Sequence, residues 1–128
     1  MARVLVVEDN ADICTTLGTL CQMWTHQVAT ATNARQASAI VAAFEPAIVI
    51  LDLTLPSETD GLELVRHLRA GDSALYIIAL SPWMTPATRA RALVAGASLF
   101  MPKPPDLDEL KRAVVSASAV MKRRRRTS

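Results

Sequence analysis

The sequence has few of the residues that mark fibrous, disordered or disulfide-bonded chains. Its 128 residues include 4 glycines, 7 prolines and 2 cysteines, while hydrophobic residues make up 51% and charged residues 20%. This composition excludes a collagen-like or disordered chain and is sufficient for the core of one domain. Cys14 and Cys21 stand seven residues apart in one predicted helix. That spacing separates them by about 10 Å along the helix axis, too far for a disulfide.

Long hydrophobic runs and a secretory signal pattern are also missing. The apolar runs, such as Ala47–Leu51 and Ala74–Leu80, are much shorter than a bilayer crossing requires. The first residues pass straight into a strand-like run with no cleavage pattern. We therefore expect a cytoplasmic protein with reduced thiols and no membrane span.

Charge is distributed unevenly along the chain. Five of the 14 basic residues stand in Lys122–Arg126, and without them 9 basic residues face 12 acidic ones, a balance of −3. We expect a mildly acidic domain over residues 1–121 and a basic tail or linker remnant over residues 122–128. Because no aromatic residues interrupt the tail, direct binding to nucleic acid is not expected. A solvated helix end is the favoured interpretation, with phosphate-backbone or anionic-lipid binding as alternatives.

Short apolar runs alternate with segments of helical periodicity. The continuous runs Arg3–Val7, Ile48–Leu51 and Tyr76–Leu80 predict strands that are buried on both faces, and weaker strands are predicted at Gln27–Thr30 and Leu99–Met101. Helical segments separate these runs. Five βα units in sequence predict an α/β fold, a doubly wound five-stranded parallel sheet with five helices.

The helical segments differ in the strength of their apolar faces. The fourth helix, about Pro86–Ala95, has the weakest apolar stripe and is expected to be the least firmly packed.

His26 and His67 have no cysteine or carboxylate at metal-ligand spacing and are expected at the surface. The first helix is predicted to present one apolar face made of Ile13, Leu17, Leu20, Cys21 and Trp24.

Charged and hydroxyl side chains follow four of the predicted strands. Glu8 and Asp9 follow the first strand, Asp52 ends the third, Ser81 closes the fourth and Lys103 follows the fifth. Ligands of doubly wound sheets bind at this carboxyl edge. Three converging carboxylates repel one another, and Mg²⁺ would relieve that repulsion. Each residue taken alone also fits an ordinary solvated or helix-capping role.

These residues and their neighbours resemble the receiver domain of two-component response regulators. The resemblance extends to about Met121 and rests on six motifs in order, each weak alone. It implies a flavodoxin-like sheet with strand order 2-1-3-4-5. The motifs are Val7-Glu8-Asp9-Asn10, Asp52 in VILDLTLP, Asp60-Gly61, Ser81, Gly96-Ala97-Ser98 and Lys103-Pro104.

The resemblance implies a phosphoacceptor site on Asp52. The phosphoryl donor would be a phosphohistidine on a histidine kinase or a histidine phosphotransfer protein. Mg²⁺ would be held by Glu8, Asp9, Asp52 and the backbone carbonyl of Thr54. Lys103 would neutralise charge on the transferring oxygens.

The resemblance also implies a conformational switch rather than an enzyme. Ser81 would turn toward the new phosphoryl group and Phe100 would turn inward. This movement would remodel the face made by the fourth helix, fifth strand and fifth helix, where a downstream protein binds. Catalysis would be limited to accepting one phosphoryl group and slowly losing it. The Lys103–Pro104 peptide is expected to be cis.

Two departures from the family pattern bear on the site. The loop containing Ser57-Glu58-Thr59 is one residue longer than usual, and Pro82 lacks the backbone N–H that the family offers to a phosphoryl oxygen. Because of these departures, a receiver-like docking module that works without phosphorylation remains an alternative function. A haloacid-dehalogenase-type phosphatase is disfavoured, because it needs a second carboxylate where this chain has Thr54.

Overall fold

Five strands and five helices alternate strictly along the chain, as predicted. The computed structural model describes residues 2–24, 26–55 and 58–127, without the side chains of residues 58, 59 and 121–127. The strands are β1 (Arg3–Val7), β2 (Gln27–Ala31), β3 (Ile48–Asp52), β4 (Tyr76–Ser81) and β5 (Leu99–Pro102). The helices are α1 (Ala11–Met23), α2 (Ala34–Phe44), α3 (Glu58–Gly71), α4 (Pro86–Ala95) and α5 (Leu107–Thr127).

The strands form one parallel sheet in the order β2-β1-β3-β4-β5. This arrangement confirms the predicted doubly wound, flavodoxin-like α/β fold. The order reverses direction at β1, so the crevice beyond the carboxyl ends of β1 and β3 is the expected ligand position. The cis peptide expected between Lys103 and Pro104 is also present.

Two apolar layers cover the faces of the sheet. In β1, Leu5 and Val7 belong to one layer, while Val4 and Val6 belong to the other. All five residues of β3 are buried. Successive strand side chains point to opposite faces, so a strand covered on both sides must be apolar throughout. This explains why the central strands appear in the sequence as continuous apolar runs.

Side-chain caps begin the helices near the carboxyl edge of the sheet. Asn10 starts α1 by accepting a hydrogen bond from the Ile13 amide at 3.0 Å. Thr85 starts α4 by accepting one from the Thr88 amide at 3.1 Å, and Pro86 follows as the first helical residue. These caps satisfy amide groups that have no partner within their own helix.

One surface prediction was wrong, and the predicted apolar face of α1 is only partly buried. Ile13, Leu17 and Leu20 line one groove, but the buried residues of the helix are Cys14, Leu17, Gly18 and Cys21, and Ile13 is exposed. His26 is buried rather than exposed, because it lies against the start of the chain, where the Ala2 amide donates to its Nδ1 at 3.4 Å. His67 is exposed, as expected.

The proposed boundary at residues 121 and 122 lies inside α5, which continues to Thr127. The side chains of the basic tail are not described, so the division between domain and tail stays a prediction. Among the described residues, none of the helices combines the length and the hydropathy needed to cross a membrane.

Candidate functional site

The side chains predicted to form a site converge at the carboxyl edge of the sheet. Asp52 is the last residue of β3, Ser81 is the last residue of β4, and Glu8 directly follows β1. Each of these three residues is only 1% exposed, although all carry polar groups. Lys103, which follows β5, reaches across the same edge. The sheet therefore brings together residues that lie up to 95 positions apart in the sequence.

Lys103 is the cation at the centre of the site. Its Nζ donates to Asp52 Oδ2 at 2.6 Å and to Glu8 Oε1 at 3.0 Å. Glu8 Oε2 also lies 3.0 Å from Nζ, within ion-pair distance, but has no hydrogen bond among the described residues. Charge-assisted bonds of this length are strong, and here they hold two buried carboxylates side by side.

Asp52 has a second partner that the sequence did not reveal. The Thr54 amide donates to Asp52 Oδ1 at 2.9 Å, and the Thr54 hydroxyl donates to the same oxygen at 2.7 Å. The family resemblance assigned Thr54 a backbone carbonyl for the metal and a position that influences dephosphorylation, but no hydrogen bond to Asp52. A threonine two residues beyond a strand-end carboxylate is the available signal, since such hydroxyls often bond locally in turns.

Burial and charge pairing set the protonation of the site. Burial raises the pKa of Glu8 above its ordinary value and outweighs the Lys103 hydrogen bond. Burial acts in the same direction on Asp52, but hydrogen bonds from Lys103 and Thr54 outweigh it and lower the pKa of Asp52. Burial opposes the charge on Lys103, yet bonds to Asp52 and Glu8 raise its pKa. Asp52 and Lys103 are therefore both charged at neutral pH.

Three carboxylates form a group that could hold a metal ion. Oxygen atoms of Glu8, Asp9 and Asp52 all lie within 4.8 Å of one another. Glu8 and Asp52 are buried, while Asp9 is exposed. The donors are hard oxygen atoms, and Glu8 Oε2 is buried without a hydrogen bond from the part of the chain that the structure describes, so the donor set fits a hard divalent cation. The role of the Thr54 carbonyl stays a prediction.

The two predicted switch residues differ in how they compare with the starting arrangement that the switch implies. The Ser81 hydroxyl bonds to the backbone of Trp83 and not to Asp52, which fits a hydroxyl that turns toward the site only after phosphorylation. Phe100, in contrast, is 5% exposed and thus already inward. The consequences of the longer loop fall outside the described residues, because neither Ser57 nor the side chains of Glu58 and Thr59 are described.

An apolar groove of about 720 Å³ adjoins the site. Glu8 and Lys103 are among the residues that line it, and Ile13 of α1, which also lines it, is 37% exposed. Ile13 is therefore part of an apolar surface that also includes Glu8 and Lys103 of the site. Its remaining apolar lining comes from Leu17, Leu20, Leu80, Pro82, Pro104, Pro105 and Leu107.

Comparison with known proteins identifies relatives among bacterial regulators. The chain is 38% identical over 110 residues to the virulence transcriptional regulatory protein PhoP of Salmonella typhimurium, covering 86% of this chain and 49% of that protein. It is 39% identical over 108 residues to PhoP of Escherichia coli, covering 84% and 48%. The chain therefore spans about half the length of these curated relatives.

Solved structures agree with this relationship. A LuxR-family two-component response regulator from Aurantimonas superposes with a TM-score of 0.83 at 30% identity, covering 93% of this chain and 86% of that one. NtrX from Brucella abortus superposes with a TM-score of 0.86 at 29% identity, covering 98% and 29%. The family model of the response regulator receiver domain matches residues 4–115. With its 2-1-3-4-5 sheet and the acidic cluster around Asp52, the chain belongs to the response regulator receiver domain family.

Proposed function

We propose that Asp52 accepts a phosphoryl group from a histidine kinase or histidine phosphotransfer protein, and that the domain then changes its binding surface. The observation that carries this proposal is the 2.6 Å contact between Lys103 Nζ and Asp52 Oδ2 within a cluster of three carboxylates. The lowered pKa of Asp52 supports its use as a nucleophile, because the carboxylate is ionised at neutral pH.

The chain's own residues account for much of the chemistry. One Asp52 oxygen leaves its hydrogen-bond donor and attacks phosphorus, and the P–N bond breaks with its electron pair remaining on the histidine nitrogen. The Lys103 ammonium, which first pairs with the Asp52 carboxylate, then pairs with the negatively charged phosphoryl oxygens. When bound at Glu8, Asp9, Asp52 and the Thr54 carbonyl, Mg²⁺ would neutralise further charge on those oxygens. Catalysis in this proposal is limited to acceptance and slow loss of the group.

The apolar groove beside Lys103 supports docking of the phosphohistidine-bearing partner. Asp52 is 1% exposed, so a protein donor must approach closely and align its histidine with the site. The groove offers a contiguous apolar surface for such a partner. We expect Ile13→Asp to slow phosphorylation by a protein donor without slowing phosphorylation by acetyl phosphate. Val94→Asp is the control, since Val94 is 87% exposed on α4, outside the groove.

The output surface in this proposal is the face made by α4, β5 and α5. The exposed apolar side chains of α4 and α5 include Leu93, Val94 and Val115, which are 39%, 87% and 49% exposed. Phosphorylation would act through Ser81 and Phe100 to change this face in the cytoplasm. We propose a downstream protein, rather than nucleic acid, as its direct partner. The relatives' names describe transcriptional regulation, and any such output would involve more than the half of their length that this chain matches.

Intact mass after incubation with acetyl phosphate tests the central step. We expect one added phosphoryl group when Mg²⁺ is present, no addition without metal, and no addition in Asp52→Asn. The control Asp108→Asn changes an exposed aspartate of α5 and is expected to be phosphorylated normally. If neither acetyl phosphate nor a panel of purified histidine kinases modifies the folded protein, the result favours the alternative function, a docking module that works without phosphorylation.

A further inference from the structure

The basic run at the end of α5 lies at the opposite end of the molecule from the phosphoacceptor site. α5 begins at Leu107, just beyond the carboxyl edge of the sheet, and Val120 lines a cavity of about 350 Å³ together with Tyr76, the first residue of β4. The helix has therefore reached the amino edge of the sheet by residue 120. It continues to Thr127, and the residues after Val120 advance its axis by about 10 Å. The run Lys122–Arg126 thus belongs to a helix end that extends past the sheet.

Positive charge is concentrated at this end of the molecule. The run holds five basic residues, while the rest of the chain has 9 basic and 12 acidic residues, a balance of −3. The carboxylates of Glu8, Asp9 and Asp52 cluster at the opposite edge. The five residues of β3 separate the two edges by about 16 Å, which is about two Debye lengths at physiological ionic strength. Salt therefore screens the acidic site from an anionic partner at the basic run.

The spacing of the basic residues matches the charge spacing of a DNA duplex. A helix rises about 1.5 Å per residue, and double-stranded DNA carries one negative charge per about 1.7 Å of its axis. Four of the five residues are arginine, whose planar guanidinium suits bidentate binding of phosphate oxygens. By helical periodicity, positions 122, 125 and 126 share one face. The helix end therefore offers a duplex at least three basic residues at once.

The composition of the run favours a duplex over other polyanions. Proteins bind single-stranded nucleic acid largely by stacking its bases on aromatic side chains, and the run contains none. Pairing with duplex phosphates needs no aromatic residue, so this absence counts against single strands but not against double-stranded DNA. A helix that lies on a membrane needs an apolar face beside its basic face. Five consecutive basic residues leave no apolar face at this helix end.

We propose that the end of α5 binds the phosphate backbone of double-stranded DNA without regard to base sequence. This inference goes beyond the proposed function, because contact at the amino edge leaves Asp52, the apolar groove and the protein-binding face accessible. A phosphoryl group on Asp52 lies about two Debye lengths from the contact, so duplex binding is independent of phosphorylation. One end of the domain is held on DNA while the other end accepts the phosphoryl group.

Fluorescence anisotropy of a labelled duplex of random sequence, titrated with the full chain, tests the proposal. Three phosphate contacts predict that the logarithm of the affinity falls with the logarithm of the salt concentration with a slope of about −3. The double substitution Arg125→Gln and Arg126→Gln should change this slope to about −1 and weaken binding by at least about tenfold. Lys111→Gln with Arg112→Gln is the matched control, because it removes the same charge from exposed positions of the same helix and should leave the slope unchanged.

Three results would overturn the proposal. The first is no binding of the duplex by folded wild-type protein at low salt, and the second is an equal loss of affinity in the two double variants. The third is tighter binding to a single-stranded oligonucleotide, or to vesicles that contain phosphatidylserine, than to the duplex. The substituted arginines lie beyond Ala117, the last residue of α5 that the structure describes as buried, and circular dichroism checks that both variants fold.

The test also distinguishes this inference from the proposed function. Asp52→Asn should bind the duplex with the affinity and the salt dependence of wild type, since the carboxylate lies at the opposite edge of the sheet. Wild-type protein that binds the duplex but accepts no phosphoryl group would overturn the phosphoacceptor function and leave the duplex contact intact. Protein that is phosphorylated on Asp52 but does not bind the duplex would overturn the duplex contact alone.

Discussion

Gly61 of α3 packs directly on the backbone of Leu53, the residue that follows Asp52. A Cβ at position 61 would overlap the Leu53 carbonyl oxygen and lie 2.6 Å from the Leu53 Cα. Both atoms belong to rigid backbone, so neither can move aside as a flexible side chain could. The glycine thus lets α3 approach the segment that carries Leu53, Thr54 and the proposed metal-binding carbonyl.

Gly61→Ala should destabilise the protein by about 3 kcal/mol, because the helix and the Leu53 backbone must separate. Gly71→Ala is the matched control in the same helix, since a Cβ there would meet nothing within 4 Å. A helical alanine at that exposed position should be neutral or stabilising by up to about 1 kcal/mol. Urea unfolding of both variants measures the difference. Equal stabilities of the two variants would show that the close approach has no energetic importance.

The sequence indicated the Asp60-Gly61 motif but not the reason for it. Glu8, Asp52, Ser81 and Lys103 could be predicted because each ends or directly follows a strand, and parallel strands place those positions at one edge. Side-chain pairing could not be predicted in the same way. The Thr54 hydroxyl reaches Asp52 through a local turn, and the burial of His26 depends on the path of the first residues. Neither feature has a periodic signal: the spacing of Thr54 from Asp52 is a weak local one, and the burial of His26 has none.

Glu8→Gln should increase stability in the absence of metal. Burial raises the pKa of Glu8, so its charged form is disfavoured in the fold at pH 7. Glutamine is a neutral isostere, so the substitution removes the free-energy cost of burying the Glu8 charge and removes the repulsion from Asp52. We therefore expect the free energy of unfolding to increase by about 1 kcal/mol. As pH falls through the raised pKa, wild-type protein becomes neutral at this position and the difference should shrink.

The same variant should lose stabilisation by Mg²⁺, since a bound ligand stabilises only the state that binds it. Unfolding by urea at pH 7 and at lower pH, each with and without Mg²⁺, measures both effects. Glu63→Gln is the control because Glu63 is exposed on α3. A Glu8→Gln variant that is less stable than wild type without metal would contradict this account of the site.

His26 should make stability fall as pH falls below about 6.5, the value expected in the unfolded chain. Burial, together with the positive amino terminus, lowers the pKa of His26 in the fold. The Ala2 amide donates to Nδ1, and Nε2 is buried with no hydrogen bond to any described residue, so protonation would break a hydrogen bond and charge a buried ring. The unfolded chain then binds more protons, and stability falls by at most about 1.4 kcal/mol per pH unit for this one group.

Chemical unfolding between pH 7.5 and 5.5 tests the assignment. His26→Gln should reduce the pH dependence, whereas His67→Gln, which changes an exposed histidine on α3, should leave it unchanged. Glu8 acts with the opposite sign, because protonation of its buried carboxyl stabilises the fold. Comparing the two histidine variants in otherwise identical chains separates the contributions. Identical pH profiles for both variants would exclude His26 as the source.

Pro82→Ala should lengthen the lifetime of the phosphorylated state. The substitution adds a backbone N–H directly after Ser81, where the family resemblance places a donor to the phosphoryl group. One additional hydrogen bond worth about 1 kcal/mol corresponds to about a fivefold slower loss of phosphate. The decay of the intact-mass adduct after removal of acetyl phosphate measures this rate. Pro86→Ala is the control, since the first amide of α4 has no partner within the helix and lies beyond the Ser81–Trp83 turn.

The Pro82 variant could also act by loosening the turn that holds Ser81, and hydrogen exchange of the Trp83 amide separates the two causes. If the unphosphorylated variant keeps a slowly exchanging Trp83 amide, the longer lifetime comes from the added donor. If that amide exchanges as fast as in a Ser81→Ala variant, which lacks the hydroxyl that bonds it, the turn has opened and Ser81 is free to reach the phosphoryl group without a donor from residue 82. A lifetime equal to that of wild type and Pro86→Ala would show that the missing N–H does not limit phosphoryl binding, because the existing Lys103, Thr54 and Ser81 donors would then be sufficient.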